Sequence, residues 1–327
     1  MTSTYLVLTS ASNLIMHKGE VLLEVVRNEM VESVHAGHLL ITDKTGAPIL
    51  ELGDLNSPIY PRSAIKAIQA SAMLRAGLKV SPKQLALICA SHAGSAEHLK
   101  VALSILSDAN LSESDLKNTP DKPLGTSERL AWGDRNPTSL AANCSGKHSG
   151  MLATCKANNW DISSYKDPAH PLQQSIKREF ELLSGEAISK VGVDGCGARL
   201  FALSLRAMAN AFRNLVQSKE SIHQEVVNAC RSNPIMVAGI GRLPTLLMTK
   251  VDGLFVKDGA EGVMVITTET GEVIVWKMSD GSQRGALTLA LASLSHLGIS
   301  VELERETVLG GGQVVGEIRA SKLVRHG

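Results

Sequence analysis

A serine and a lysine three positions apart can supply a nucleophile together with its base. A serine hydroxyl attacks a carbonyl group only when a neighbouring base removes its proton, and lysine can be that base only in its neutral form. The pattern occurs at Ser63/Lys66, Ser114/Lys117 and Ser163/Lys166. Ser114 lies in the polar run SESDLK, and Ser163 follows Trp160-Asp161, so we interpret these two pairs as solvated surface residues.

Ser63 differs from the other two serines in its surroundings. It follows Pro61-Arg62 at a predicted strand-to-helix junction and starts the apolar run AIKAIQASAMLRAGL, which Gly77 ends. On a helix Ser63 and Lys66 would share one face, burial would lower the pKa of the lysine, and free N–H groups would stabilise an oxyanion. The alternative, which the pattern alone favours, is that Ser63 only caps the helix and Lys66 lies on the surface.

Two short segments combine further reactive side chains. Cys89-Ala90-Ser91-His92 follows an apolar run, and its polar end could line a cleft or simply form the next turn. Asn143-Cys144-Ser145-Gly146-Lys147-His148 holds a thiol, an amine and an imidazole within five positions. If Cys196 folds close to Cys144, the two thiolates could hold zinc, for which histidine is an ordinary third ligand. The cysteines alone favour two unrelated buried thiols.

A second lysine motif follows later in the chain. Lys44-Thr45-Gly46 is similar to the third motif of penicillin-recognising serine enzymes, but it precedes Ser63, whereas that motif follows the nucleophile. We therefore interpret it as a hairpin turn. Lys257-Asp258-Gly259 comes after Ser63 and enters a predicted strand, which makes it the better candidate.

The composition argues against several classes of protein. The 327 residues are 44% hydrophobic and 20% charged with a formal net charge of +1, which argues against disorder and against binding of nucleic acid. No apolar window reaches the length of a membrane span. The N-terminal MTSTYLVLTSASN lacks a basic region, so we predict no signal peptide and a cytoplasmic location. An odd number of cysteines, five, argues against a disulfide framework.

The hydrophobic pattern places strands at both ends of the chain and helices between them. Strands are predicted at 21–26, 38–41, 49–52, 262–267 and 272–276, with hairpin turns at 43–46 and 269–271. Helices are predicted to follow Ser63 and Ser81-Pro82, and near 146–157, 171–184, 199–217, 221–231 and 282–297, with a long ordered loop at 118–139. We therefore predict an α+β fold in one domain. Its antiparallel sheet comes from about 1–62 and 235–327, and its helical lobe from about 63–234.

Taken together, these segments resemble the Rhizobium-type L-asparaginase II family over about residues 21–315. The resemblance depends on an ordered set of motifs: Pro61-Arg62-Ser63-Ala64-Ile65-Lys66, Cys89-Ala90-Ser91-His92, Asn143-Cys144-Ser145-Gly146-Lys147-His148, Val193-Asp194-Gly195-Cys196, Met236-Val237-Ala238-Gly239 with Gly241-Arg242, and Lys257. No single motif is specific, but six in this order are.

The resemblance implies a fold similar to serine β-lactamases and serine glutaminases, and it implies roles for individual residues. Two serine–lysine tandems, a substrate-binding set and a zinc site are expected at Ser63/Lys66 and Ser91/Lys257, at Arg62, His148 and Asp194, and at Cys144, Lys147 and Cys196. Within the substrate-binding set, Asp194 is expected to hold the α-amino group of the substrate. The zinc ion is not clearly needed for the chemistry in the family, whose members are typically homodimers.

The expected reaction is hydrolysis of L-asparagine to L-aspartate and ammonia. Ser63 would attack the amide carbonyl, Lys66 would take its proton, and Ser91 with Lys257 would pass protons and hold the water. Two alternatives stay open. One is a penicillin-binding or β-lactamase-like hydrolase, and the other is a non-catalytic amino-acid or zinc-binding module that keeps the pocket without turnover.

Overall fold

The strands of the main sheet come from both ends of the chain, as the sequence predicts. A computed structural model describes residues 19–326; the prediction that the N-terminus is not a signal peptide lies outside them. The strands are β1 Glu20–Arg27, β2 Met30–Thr42, β3 Pro48–Leu52, β4 Lys190–Val193, β5 Arg199–Ala202, β6 Phe255–Gly259, β7 Val263–Thr267, β8 Val273–Met278, β9 Thr307–Gly310 and β10 Gln313–Ala320.

One eight-stranded antiparallel sheet joins the two ends of the chain. Its order is β6-β7-β8-β2-β1-β10-β9, and β3 also pairs with β2. The C-terminal strands therefore flank the N-terminal hairpin on both sides: Leu39 of β2 is opposite Trp276 of β8, and Val25 of β1 is opposite Ile318 of β10. These four residues are buried, because the sheet's apolar face packs on the helices. The α+β class is confirmed, whereas the limits of the two lobes stay a prediction.

The helices lie mainly in the middle of the chain. They are α1 Lys66–Arg75, α2 Pro82–Ile88, α3 Ala96–Asp108, α4 Thr126–Trp132, α5 Ser145–Ala157, α6 Pro171–Ser184, α7 Leu205–Gln217, α8 Ser221–Ser232, α9 Pro234–Val237, α10 Leu243–Lys250, α11 Ala286–Ser295 and α12 Lys322–His326. In α1 every residue from Lys66 to Met73 is buried. Within residues 19–326, no helix combines the length and the apolar character that a bilayer span requires.

Two predicted elements differ from the structure. The helix predicted at 199–217 begins only at Leu205, where the Ser204 hydroxyl accepts a hydrogen bond from the N–H of Ala207 as an N-cap. The preceding residues instead form β5, which pairs with β4. The loop predicted at 118–139 contains α4, which buries none of its residues and therefore has no apolar periodicity in the sequence.

Candidate active site

Ser63 lies in a single 3₁₀ turn, Arg62–Ile65, that leads into α1. The N-cap position of α1 is Ile65, which makes no side-chain capping bond, so the interpretation of Ser63 as only a helix cap is wrong. The turn begins at Arg62 with a φ of 53°, a left-handed conformation that costs a non-glycine residue about 1–3 kcal/mol. Such local strain is typical of sites where the direction of one side chain matters, and the side chain after Arg62 is that of Ser63.

Close packing brings strand β6 against this turn. A Cβ atom on Gly259 would lie 2.5 Å from the carbonyl oxygen of Pro61, so only glycine allows the approach. Lys257 lies two residues earlier on β6, and its side chain is fully buried. The close packing that Gly259 allows therefore brings Lys257, on the same strand, to the start of α1.

Backbone hydrogen bonds join the segment after α2 to two other motifs. The N–H of Ser91 donates to the carbonyl of Val237 at 3.1 Å, and the N–H of His92 donates to the carbonyl of Asn143 at 3.1 Å. The following helix, α5, can pack on α2 because residue 146 is a glycine, whose Cβ would lie 2.5 Å from the carbonyl oxygen of Leu87. Motifs far apart in the sequence are thus brought around one serine.

The hydroxyl of Ser91 lies between the two predicted catalytic lysines. Its Oγ is 3.3 Å from Nζ of Lys66 and 3.0 Å from Nζ of Lys257. Both lysines are buried, with exposed fractions of 1% and 0%. In the described part of the chain, no hydrogen bond joins Ser63 to Lys66; the amine of Lys66 instead donates to Ser91 and, at 2.6 Å, to the carbonyl of Ala90.

Burial gives Lys66 the property that a base needs. Removal from water, together with the positive charges of Lys147 and Lys257, lowers the pKa of Lys66 from 10.5 to about 7. Burial also lowers the pKa of Lys257, but the adjacent Asp258 carboxylate favours its charged form and opposes the shift. Lys66 is therefore substantially neutral near neutral pH.

Arg62 and Asp194 form an ion pair that the separate motifs did not predict. The guanidinium donates from Nε to Oδ1 of Asp194 at 2.9 Å, and its NH2 atom lies 2.8 Å from the same oxygen. The N–H of Gly195 also donates to this oxygen, at 2.9 Å. Oδ2 lies 3.6 Å from the sulfur of Cys196, so this oxygen has the weaker contacts of the two.

Two thiols and an imidazole gather beside Asp194. The donor atoms of Cys144, His148 and Cys196 lie within 4.8 Å of one another, as a shared metal ion requires. Lys147 is also present, with Nζ 3.3 Å from Sγ of Cys196. The hydrogen bond from Cys144 and the charge of Lys147 hold the pKa of Cys196 below its usual range, which favours the thiolate that binds metals.

His148 lies with the two thiols, where the sequence offers a histidine as an ordinary third metal ligand. Its Nδ1 lies 2.6 Å from the hydroxyl of Tyr165, and its Nε2 is buried without a hydrogen-bond partner among the described residues. The family resemblance also implies that His148 lines the substrate pocket, and that role stays a prediction. The donor set of two thiols and an imidazole fits a thiophilic cation such as zinc. Lys147 could replace His148 as the third ligand only in its neutral form, because an ammonium group has no lone pair.

A cavity of about 610 Å³ unites these groups. Residues from all the site motifs line it: Arg62, Ser63, Ser91, Asn143, Cys144, Asp194, Cys196, Arg242 and Asp258. The two lysines lie buried behind this wall. The sequence motifs contained Arg242 and Asp258 but gave them no role, although each is adjacent to a residue that the motifs singled out.

Comparison with known proteins identifies the family. The family described as L-asparaginase II matches residues 23–320, and no curated protein matches. Among solved structures, similarity extends to a candidate β-lactamase from Bacteroides dorei, with 12% identity over 82% of this chain and 87% of the other and a TM-score of 0.39. A peptidoglycan synthesis regulatory factor, PBP3, from Streptococcus pneumoniae has 13% identity over 91% and 86% and a TM-score of 0.40. The family match confirms the resemblance found in the motifs, and the chain belongs to the L-asparaginase II family, a family of amidohydrolases.

Proposed function

We propose that the protein is an L-asparaginase that uses Ser63 as its nucleophile and Lys66 as the base. The observation that carries the proposal is the arrangement around Lys66. This buried lysine begins the helix that follows Ser63 and contacts Ser91, the hydroxyl that also contacts Lys257. Ser63 is half-buried and borders the cavity, whereas Ser91 is 5% exposed and its oxygen is engaged by both amines. The more accessible serine is the better candidate for direct attack on a substrate.

The Arg62–Asp194 pair suits the head group of a free amino acid. An α-ammonium group can pair with the carboxylate of Asp194, and an α-carboxylate can pair with the guanidinium of Arg62. Both charges already border the cavity, so binding exchanges partners without leaving either group unpaired. Recognition of both substrate charges by adjacent side chains supports an amino acid amide as the substrate class.

In the acylation step, protons pass from Ser63 to Lys66 and, through Ser91, to the departing nitrogen. Ser63 Oγ attacks the side-chain amide carbon of asparagine while its proton passes to the neutral amine of Lys66, and backbone N–H groups hold the oxyanion. The carbon–nitrogen bond then breaks. The departing nitrogen takes the proton of the Ser91 hydroxyl, Ser91 takes one from Lys66, and ammonia leaves an acyl-enzyme on Ser63.

Deacylation repeats these transfers with water. Water attacks the ester carbon and gives its proton to Lys66, which is neutral again after the first half-reaction. When the ester bond breaks, Ser63 regains a proton through Ser91 and L-aspartate is released. Lys257 donates a hydrogen bond to Ser91 throughout and is not consumed in either half-reaction.

We also propose zinc at Cys144, Lys147 and Cys196, with His148 as the competing third ligand. When bound, zinc supplies a fixed positive charge and a cross-link between the start of α5 and the turn that carries Asp194. Cys144, Cys196 and either Lys147 or His148 are the ligands that this chain would supply to the ion. The predicted homodimer likewise stays a proposal, and sedimentation equilibrium tests it.

Ammonia release from L-asparagine and L-glutamine, with and without a chelator, tests the proposal. We expect turnover of one or both amides, loss of turnover in Ser63→Ala, and full turnover in Ser114→Ala, the matched change in an exposed tetrad. Hydrolysis of a β-lactam by the same preparation, with no ammonia from either amide, would instead favour the penicillin-recognising alternative. No reaction with any of these substrates would favour a binding module.

A further inference from the structure

A chain of charged side chains starts at the Ser91 hydroxyl and runs through Lys257, Asp258 and Arg242. Lys257 donates to the Ser91 hydroxyl at 3.0 Å and to Oδ1 of Asp258 at 2.5 Å. The other carboxylate oxygen of Asp258 accepts a hydrogen bond from Arg242 at 2.5 Å. Arg242 in turn donates to the backbone carbonyl of Ser91 at 2.5 Å. The chain therefore begins at the side chain of Ser91 and returns to its main chain.

The acceptors around each lysine distinguish the two amines. Among the described residues, Nζ of Lys257 has three acceptors: the Ser91 hydroxyl, the Asp258 carboxylate and, at 2.6 Å, the Asp258 carbonyl. Three acceptors satisfy an ammonium group, which has three N–H bonds. Nζ of Lys66 has two acceptors, Ala90 and Ser91, which satisfy a neutral amine and leave its lone pair free.

The two hydrogen bonds that Ser91 accepts determine where its own hydroxyl hydrogen can point. Its oxygen has two lone pairs, and one amine donates to each of them. The hydroxyl's own hydrogen is then not needed by either lysine and can point to the cavity that Ser91 borders. A hydroxyl oriented in this way is a proton donor to a departing amide nitrogen.

The charges that face Lys257 come from four elements. Asp258 is on its own strand, Arg242 precedes α10, Lys66 begins α1, and the Cys89 thiol follows α2. Of these, only Asp258 is an anion at neutral pH. The charges of Lys257 and Arg242 hold its pKa at about 2 against the effect of burial, whereas the hydrogen bond with the Cys230 thiol, together with burial, raises the pKa of Cys89. The ammonium of Lys257 therefore depends on one carboxylate.

We propose that Asp258 and Arg242 are positioning residues of the serine–lysine centre. Asp258 holds Lys257 as an ammonium against Ser91, and Arg242 fixes both that carboxylate and the main chain of Ser91. Ser91 is thereby kept as a donor towards the substrate, while Lys66 alone acts as the base. This inference deepens the proposed function and rests on it for the meaning of the kinetic effects.

Asp258→Asn tests the proposal, with Glu51→Gln as the matched control. Glu51 is an exposed carboxylate paired with Arg206, at 2.6 Å, on an edge of the sheet outside the cavity. For Asp258→Asn we expect kcat for L-asparagine to fall about 100-fold with KM changed less than about threefold, as for loss of proton-transfer assistance. The alkaline limb of the pH profile should also move to lower pH, because the amide no longer stabilises the charged lysine.

A measurement without substrate separates this proposal from the proposed function. In protein labelled with [¹³Cε]lysine, the NMR signal absent from Lys257→Met is that of Lys257. Its titration midpoint should move down by at least about one pH unit in Asp258→Asn and stay in place in Glu51→Gln. Arg242→Lys should have a higher kcat than Arg242→Gln, because lysine keeps the positive charge beside Asp258. This pair of variants tests the proposal if Asp258→Asn folds poorly.

The outcomes are distinguishable. An unmoved midpoint, or a kcat equal to that of the control, overturns the positioning role whatever the substrate is. A midpoint that moves in a protein that releases no ammonia from asparagine or glutamine refutes the asparaginase proposal and leaves the Lys257–Asp258 pairing supported.

Discussion

The pH dependence of kcat/KM should follow the deprotonation of Lys66. Burial and the two neighbouring lysine charges lower the pKa of this residue to about 7, and only its neutral form can accept the serine proton. With that pKa, the neutral fraction falls from about 0.9 at about pH 8 to about 0.1 at about pH 6. We therefore expect kcat/KM to fall about tenfold from about pH 8 to about pH 6 and to level off above about pH 8, until the alkaline limb that loss of the Lys257 proton causes.

The assay should detect aspartate directly, because coupling enzymes have pH dependences of their own. Initial rates at asparagine concentrations well below KM give kcat/KM at each pH, and Ser63→Ala defines the background. Lys83→Met is a suitable control, since Lys83 is exposed and paired with Glu97 at 2.6 Å. Its profile should superimpose on that of the unmodified protein.

Two results would refute the reasoning. If kcat/KM still rose about tenfold per pH unit between about pH 8 and about pH 9, the base would have an ordinary lysine pKa and burial would not have prepared Lys66. If the profile were flat from about pH 6 to about pH 8, Lys66 would not be the group whose deprotonation limits the reaction.

Further expectations concern the nucleophile, the substrate charge, the metal and stability. Ser63→Ala and Lys66→Met should each lower kcat by about 10⁴-fold, measured as ammonia release. Asp194→Ala should raise KM steeply for asparagine but much less for succinamic acid, which lacks the α-amino group, and Asp194→Asn should rescue little; equal changes for both compounds would contradict this role. Cys196→Ala should lose the zinc found by metal analysis of protein purified without chelator; equal zinc in both samples, or none in either, would remove the site from the proposal. Lys66→Met should raise Tm at about pH 6 and progressively less above about pH 7, followed by thermal melts.

The sequence identified most of the reactive residues, because each lies in a short local motif. The family resemblance paired Ser91 with Lys257, which lie 3.0 Å apart, but the local patterns alone did not show which residues meet. The contact between Ser91 and Lys257 spans 166 positions and depends on the register of β6 beside the Arg62–Ile65 turn, which no local pattern specifies. The sharing of Ser91 by both lysines was therefore missed, as were the ion pairs of Arg62 and Arg242.

The errors in secondary structure have a similar cause. Arg199-Leu200-Phe201-Ala202 has no residue that forbids a helix, and it is a strand because it pairs with Lys190–Val193. Helix α4 was missed for the opposite reason, since a helix that buries none of its residues has no apolar stripe facing the core. Five strands of the main sheet, β1, β2, β3, β7 and β8, were predicted because their apolar runs are bounded by clear turn residues, whereas β9 and β10 were not predicted.

The stability of the fold and the proposed chemistry make opposite demands on Lys66. Every residue from Lys66 to Met73 is buried, so the start of α1 is a place where an apolar side chain would stabilise the protein. An unfolded lysine keeps its proton up to about pH 10.5, whereas the folded one loses it near pH 7. Below about pH 7, burial of the charged lysine therefore destabilises the folded state by about 1.4 kcal/mol for each unit by which its pKa is lowered. This cost shrinks as the pH rises from about 7 towards 10.5, because the unfolded chain then holds the extra proton alone. The burial that weakens the protein near neutral pH is the same burial that leaves Lys66 a free lone pair, and a variant that removed the cost would remove the base with it.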